Sequence, residues 1–91
     1  MEFAKPVPKG YTIYTKSGCS FCQKLKSLLT DLEIPYVVID CDKYLETREE
    51  FLEFIKITAK KEYKTFPMVF YDGMFVGGYM EILKSDGLFK D

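Results

Sequence analysis

Apolar and polar positions change period several times along the chain, and each change marks a new element. Tyr11-Thr-Ile-Tyr-Thr15 is a run of β-branched and aromatic residues, which predicts a strand. From Phe21 the period becomes helical: Phe21, Leu25, Leu28, Leu29 and Leu32 fall on one stripe, while Lys24, Lys26 and Asp31 fall away from it. Pro35 disfavours helix at Ile34 and resets the chain to extended backbone. Tyr36-Val-Val-Ile39 is then a short apolar run without alternation, the pattern of a buried strand in a parallel sheet. Two such strands joined by a helix make a βαβ unit with a right-handed crossover. Thr47-Arg-Glu-Glu50 has the form of a capping box, and Phe51, Leu52, Ile55, Thr58 and Ala59 continue at helical spacing, so a second helix is predicted from about Thr47 to about Lys61.

Thr65-Phe-Pro67 leads into Met68-Val-Phe-Tyr71, and Asp72-Gly73 separates that run from Met74-Phe-Val76. Asp-Gly between two strand-like runs predicts an antiparallel hairpin with a type I′ turn. Gly77-Gly78 breaks the strand, and Tyr79 to about Ser85 predicts a closing helix with Ile82 and Leu83 inward and Gly87 as its stop. The order βαβ-α-ββ-α places the chain in the α/β class, with a four-stranded mixed sheet flanked by helices on both faces. Residues 1–10 carry Pro6, Pro8 and Gly10 and show no period, which predicts an extended lead-in before a single domain over residues 11–91.

Composition narrows this reading. Ninety-one residues at 47% hydrophobic allow one core and leave little room for a second. A net charge of −1 argues against wholesale nucleic-acid binding, although thirteen basic residues permit a local basic patch. No stretch approaches the ~18 apolar residues of a membrane span, and the first residues contain no apolar signal-peptide region. The expectation is a soluble cytoplasmic protein with no membrane or nucleic-acid partner.

The chemistry concentrates at Cys19-Ser-Phe-Cys22, where the first predicted strand ends and the first helix begins. Three cysteines and no histidine fall short of the four ligands a zinc site takes, so no metal site is expected within one chain. A structural disulfide across so short a loop would remove little entropy from the unfolded chain. The redox reading of C-x-x-C fits better. A first sulfur at a helix N-terminus sits among unpaired N–H groups and the positive end of the macrodipole, which favour the thiolate. The second cysteine follows within one turn, in reach of a disulfide formed by the first. Cys41, ending the second strand, reads as a small buried residue.

Three separated motifs resemble the glutaredoxins, a family with the thioredoxin-like fold, over roughly Tyr11 to Leu88. They are Lys16-x-x-Cys19-x-x-Cys22 with Phe21 before the second cysteine, Thr65-x-Pro67, and Gly77-Gly78 ahead of Glu81. Thioredoxin itself usually carries Trp beside Cys-Gly-Pro-Cys, whereas this chain has no Trp. The resemblance implies Cys19 as nucleophile and Cys22 as resolving thiol. It also implies a glutathione site made of Lys16, Phe21, Thr65, Phe66, Pro67, Gly78, Tyr79, Met80 and Glu81. Pro67 would be the family's cis-proline, placing the Phe66 backbone beside Cys19 where an extended peptide can pair. Lys16 would stabilise the thiolate and approach the glycyl carboxylate. Lys60, Lys61 and Lys64 are candidates for a second contact there. N–H groups of Tyr79 and Met80 would take the glutamyl carboxylate, and Glu81 the ammonium. The sequence departs from the family at Met80, where Ser or Asp is usual, and at Glu81, where Asp is usual.

The activity implied is glutathione-dependent thiol–disulfide exchange, by a monomer, on protein–glutathione mixed disulfides and protein disulfides. Glutathione would be a co-substrate, with no bound cofactor. Lowering a thiol pKa from ~8.5 to ~5 raises its thiolate fraction at pH 7 roughly 30-fold, while the fall in nucleophilicity removes a factor of roughly 40. The advantage therefore lies in the return step, where a low-pKa cysteine is the better leaving group. Two alternatives stand beside this: a [2Fe–2S] cluster held between two protomers, raised by Ser20 where many family members carry proline, and thioredoxin-like reduction independent of glutathione.

Overall fold

The computed structural model describes residues 2–84. Strand β1 (Tyr11–Thr15) lies inside a four-stranded sheet of order β2-β1-β3-β4. It pairs in parallel with β2 (Tyr36–Asp40) and antiparallel with β3 (Met68–Tyr71), which in turn pairs antiparallel with β4 (Met74–Gly77). Helix α1 (Ser20–Asp31) connects the parallel pair, α2 (Arg48–Ala59) follows a 3₁₀ turn at Tyr44–Thr47, and α3 (Tyr79–Lys84) follows β4. This is the mixed sheet and element order that the period changes predict. Among the described residues no helix is long and apolar enough to cross a membrane.

The alternation of β1 and β3 divides the core into two layers. Tyr11, Ile13 and Val69 meet Leu25 and Leu29 of α1 and Ile82 of α3 on one face. Tyr14, Met68 and Phe70 meet Phe51 and Ile55 of α2, with Cys41, on the other. All five residues of β1 are buried because helices cover it from both sides. Each large side chain so enclosed contributes on the order of 1.5–3 kcal/mol relative to exposure.

Several local expectations are corrected. β2 is an edge strand, so Val37 and Val38, expected to be buried, are 44% and 39% exposed. An apolar run reports its own composition; strand order is decided by pairing, and β1 takes the inner place. The capping box does not form: the Thr47 hydroxyl donates to the Tyr44 carbonyl at 3.3 Å and gives no cap bond, because the 3₁₀ turn runs directly into α2. That helix ends at Ala59, short of Lys61, with Lys60 as a left-handed cap at φ 62°. Leu32 lies beyond α1 and is exposed, as is Leu83, while Ile82 alone of the predicted pair turns inward. Ser85 and Gly87, the expected end of the closing helix, lie outside the described residues.

Two turns follow their residue chemistry. α1 closes in a Schellman arrangement, with Ile34 N–H donating to Leu29 O at 2.9 Å and Glu33 N–H to Thr30 O at 3.0 Å. Asp72 and Gly73 both adopt positive φ, 51° and 79°, as a type I′ turn requires. The lead-in folds back over the α2 layer: the Phe3 ring packs 4.9 Å from Tyr44, 5.5 Å from Phe51 and 5.4 Å from Phe54. The Tyr14 hydroxyl donates to Ala4 O at 2.7 Å, and Val7 N–H donates to the buried Thr12 hydroxyl at 2.9 Å.

Candidate active site

Lys16, Ser17 and Gly18 carry the chain from the end of β1 to the start of α1. Gly18 takes φ +72°, a left-handed conformation that turns the loop toward the helix. Ser17 is held twice by Asp42, just beyond β2: its N–H donates to Oδ1 at 2.8 Å, and its hydroxyl donates to Oδ2. The Ser17 hydroxyl, then its N–H, hold the Asp42 carboxyl below the usual carboxylate range. Asp42 is steadied in turn by its own N–H, which donates to Asp40 Oδ1 at 2.9 Å, and Cys41 N–H donates to Thr15 O at 2.8 Å.

Cys19 is the N-cap of α1, with extended backbone at φ −101° and ψ 103°. Its sulfur accepts from Cys22 N–H at 3.2 Å, so a first-turn N–H points at this sulfur, an arrangement that favours negative charge there. Cys19 and Cys22 are joined as a disulfide with Cα atoms 5.2 Å apart. Cys19 is partly exposed, whereas Cys22 is wholly buried against the sheet. Cys41 is a buried free thiol whose pKa is pushed up to about 12, chiefly by loss of solvent and then by Asp40.

A cleft of about 530 Å³ is lined by Lys16, Phe21, Tyr63, Lys64, Thr65, Phe66, Pro67, Gly78, Tyr79, Met80 and Glu81. All nine non-cysteine residues singled out in the sequence come together here. Lys64 joins them, while Lys60 and Lys61 are not among the lining residues. The Phe66–Pro67 bond is cis. Lys16 Nζ lies 5.6 Å from the centre of the Phe66 ring. Phe21 does not follow the core stripe of α1: it is 46% exposed, 5.5 Å from the Tyr79 ring and beneath Lys24. At the far end, Gly78 N–H donates to Glu81 Oε1 at 2.7 Å, and this bond keeps the Glu81 carboxyl below its ordinary range. A Cβ on Gly77 would stand 2.6 Å from Glu81 Cγ, and one on Gly78 would strike the Tyr63 hydroxyl, so a side chain at either position would displace Glu81 or Tyr63.

Sequence reasoning missed Tyr63 and Asp42. Tyr63 lies just past α2 and has no period to flag it. Asp42 acts through a partner 25 positions away.

A Cys-x-x-Cys pair capping the first helix of a β2-β1-β3-β4 sheet, with a cis-proline entering β3, defines a dithiol protein of the thioredoxin-like class. Comparison with known proteins narrows the class. Residues 11–76 match the glutaredoxin family model, and the chain belongs to the glutaredoxin family. It is 39% identical over 66 residues to glutaredoxin 1 of Rickettsia conorii, an alignment spanning 72% of this chain and 61% of that relative's length. The crystal structure of glutaredoxin 1 from Francisella tularensis, complexed with cacodylate, superposes with a TM-score of 0.72 at 25% identity over 80% of this chain and 86% of that one. The buckwheat glutaredoxin–glutathione complex shares the fold, with a TM-score of 0.66 at 22% identity over 82% of this chain and 66% of that one.

Proposed function

We propose that this protein is a glutathione-dependent thiol–disulfide oxidoreductase that reduces protein–glutathione mixed disulfides and, using both cysteines, protein disulfides. The observation that carries this reading is a partly exposed sulfur at a helix N-cap beside a cleft with two lysines, backbone N–H groups and a carboxylate. Family membership supports thiol–disulfide chemistry, and the buckwheat glutaredoxin is a relative in fold that was solved with glutathione.

In the first step the Cys19 thiolate attacks the glutathionyl sulfur of the mixed disulfide. The target's thiolate leaves, takes a proton from water, and Cys19 carries the glutathionyl group. A second glutathione thiolate then attacks that same sulfur, forming oxidised glutathione and restoring the Cys19 thiolate. The sum is one mixed disulfide plus one glutathione giving one protein thiol plus glutathione disulfide. On a protein disulfide, Cys22 attacks Cys19 in the intermediate, which leaves the Cys19–Cys22 disulfide and both target thiols reduced.

Lys16 and Lys64 suit the glycyl carboxylate. Tyr79 and Met80 N–H groups suit the glutamyl carboxylate, while the Glu81 oxygen not used by Gly78 suits the ammonium. The protein acts as a monomer in a reducing compartment such as the cytoplasm, where a dithiol of this kind is cycled.

The test is reduction of a small glutathione mixed disulfide coupled to glutathione reductase, set against coupling to a thioredoxin reductase. Turnover with glutathione is expected, retained by Cys22→Ser and abolished by Cys19→Ser. Turnover only with the thioredoxin reductase would overturn the reading.

A further inference from the structure

Within the cleft, the side-chain atoms that stand nearest to a Cβ placed on Gly78 belong to Tyr63 and Glu81. The ring of Tyr63 is set edge-on against Phe75 of β4, with centroids 4.8 Å apart and planes at 65°. From there its hydroxyl stands where a Cβ on Gly78 would come, in a corner where that Cβ would also be 3.3 Å from Glu81 Oε1 and 3.4 Å from Pro67 O. That corner adjoins the start of α3, where the Tyr79 and Met80 N–H groups lie. Met80 is half exposed at the lip and ends in an apolar thioether. Glu81, already accepting from Gly78 N–H, can only accept. The side-chain hydrogen-bond donor set directly against Gly78, next to Glu81 Oε1, is therefore the Tyr63 hydroxyl.

We propose that Tyr63 is a substrate-binding residue whose hydroxyl recognises the α-amino-acid end of the γ-glutamyl group, donating to its carboxylate beside the α3 N–H groups. This deepens the glutathione reading and rests on it. A phenol suits the task because it donates to a carboxylate while its lone pairs remain available to the neighbouring ammonium. Its ring, seated on Phe75, meets the ligand with little further loss of rotamer freedom. The inference also explains how a chain with Met80 at the lip keeps a side-chain donor at that end.

The test compares single-turnover reduction of two mixed disulfides of one fluorescent peptide, by wild-type protein and by Tyr63→Phe. One disulfide carries glutathione and the other carries cysteinylglycine, which lacks the γ-glutamyl group. Tyr63→Phe preserves the ring and its contact with Phe75, so it removes only the hydroxyl. The expected result is a wild-type preference for the glutathionyl peptide that Tyr63→Phe reduces about tenfold, the size of one hydrogen bond to a charged group, with the cysteinylglycyl rate unchanged. A preference kept intact in Tyr63→Phe, or an equal slowing on both substrates, would overturn the assignment. If the wild-type protein itself showed no preference, the glutathione reading would fall first.

Discussion

Three residues of one type meet three environments, and the environments separate their chemistry. Cys19 caps a helix at the edge of a cleft, Cys22 lies one turn inside against the sheet, and Cys41 is sealed in the α2 layer. For Cys41, burial raises the thiol from an ordinary 9.0 to about 12. The folded state then holds a proton that the unfolded chain gives up earlier. This contribution to stability is complete below pH 9.0 and declines as the pH rises toward about 12. In the reduced protein, urea unfolding between pH 8 and 11 should show the stability of wild type falling relative to Cys41→Ala. A difference that stays constant with pH would contradict the burial argument. Tyr14, raised above the ordinary tyrosine range by burial and then by Cys41, pulls in the same direction in both proteins.

Among the elements, the joint between β1 and α1 matters most, because the three-residue stretch from Lys16 to Gly18 sets where Cys19 stands. Two bonds from Ser17 to Asp42 tie this joint to the end of the neighbouring parallel strand, so the register of β1 with β2 is transmitted to Cys19. Since folding lowers the Asp42 carboxyl, the tie is present above its ordinary 3.8 and is lost as the pH falls through the folded value. Asp42→Ala should leave the fold intact while the Ser17 amide exchanges roughly tenfold faster, the loss of one charge-assisted hydrogen bond. Amide exchange at neutral pH measures this directly. Unchanged protection would show that the loop holds its shape without the aspartate.

On the scale of the whole molecule, the aromatic residues form a connected layer from the N-terminal arm to the cleft. Phe3 rests on Phe51, Phe51 stacks on Phe66 at 6.2 Å and 3°, and Phe66 carries Lys16 above its ring. The arm is therefore packed structure and more than a lead-in. Phe3→Ala should destabilise the protein by about 1–3 kcal/mol, below the 3–5 kcal/mol of a fully enclosed phenylalanine because Phe3 is only partly buried. Urea unfolding of the two proteins provides the measure. A loss under about 0.5 kcal/mol, typical of surface substitutions, would reduce the arm to a loose cover.

The elements and the pair of cysteines were legible from sequence because they rest on short-range rules: period-two and helical spacing, Pro35 and Asp72-Gly73 as punctuation, and Cys-x-x-Cys at a strand-to-helix junction. Those signals need only a few neighbouring residues, and the element order, hairpin and α1 start followed from them. What lay beyond that range was decided by pairing and packing. Val37 and Val38 read as core until β1, with partners on both sides, left β2 at the edge. Phe21 and Leu83 fit the helical stripes, yet neither was enclosed: Phe21 lies against Tyr79 at the cleft and Leu83 stays exposed. Phe3 had no pattern at all, and gained its place only when Tyr44, Phe51 and Phe54 came together. Asp42 and Tyr63 act on Ser17 and Gly78, residues brought near by the sheet and by the turn after α2. A contact of that kind has no period and no local cost to reveal it, so only the folded chain displays it.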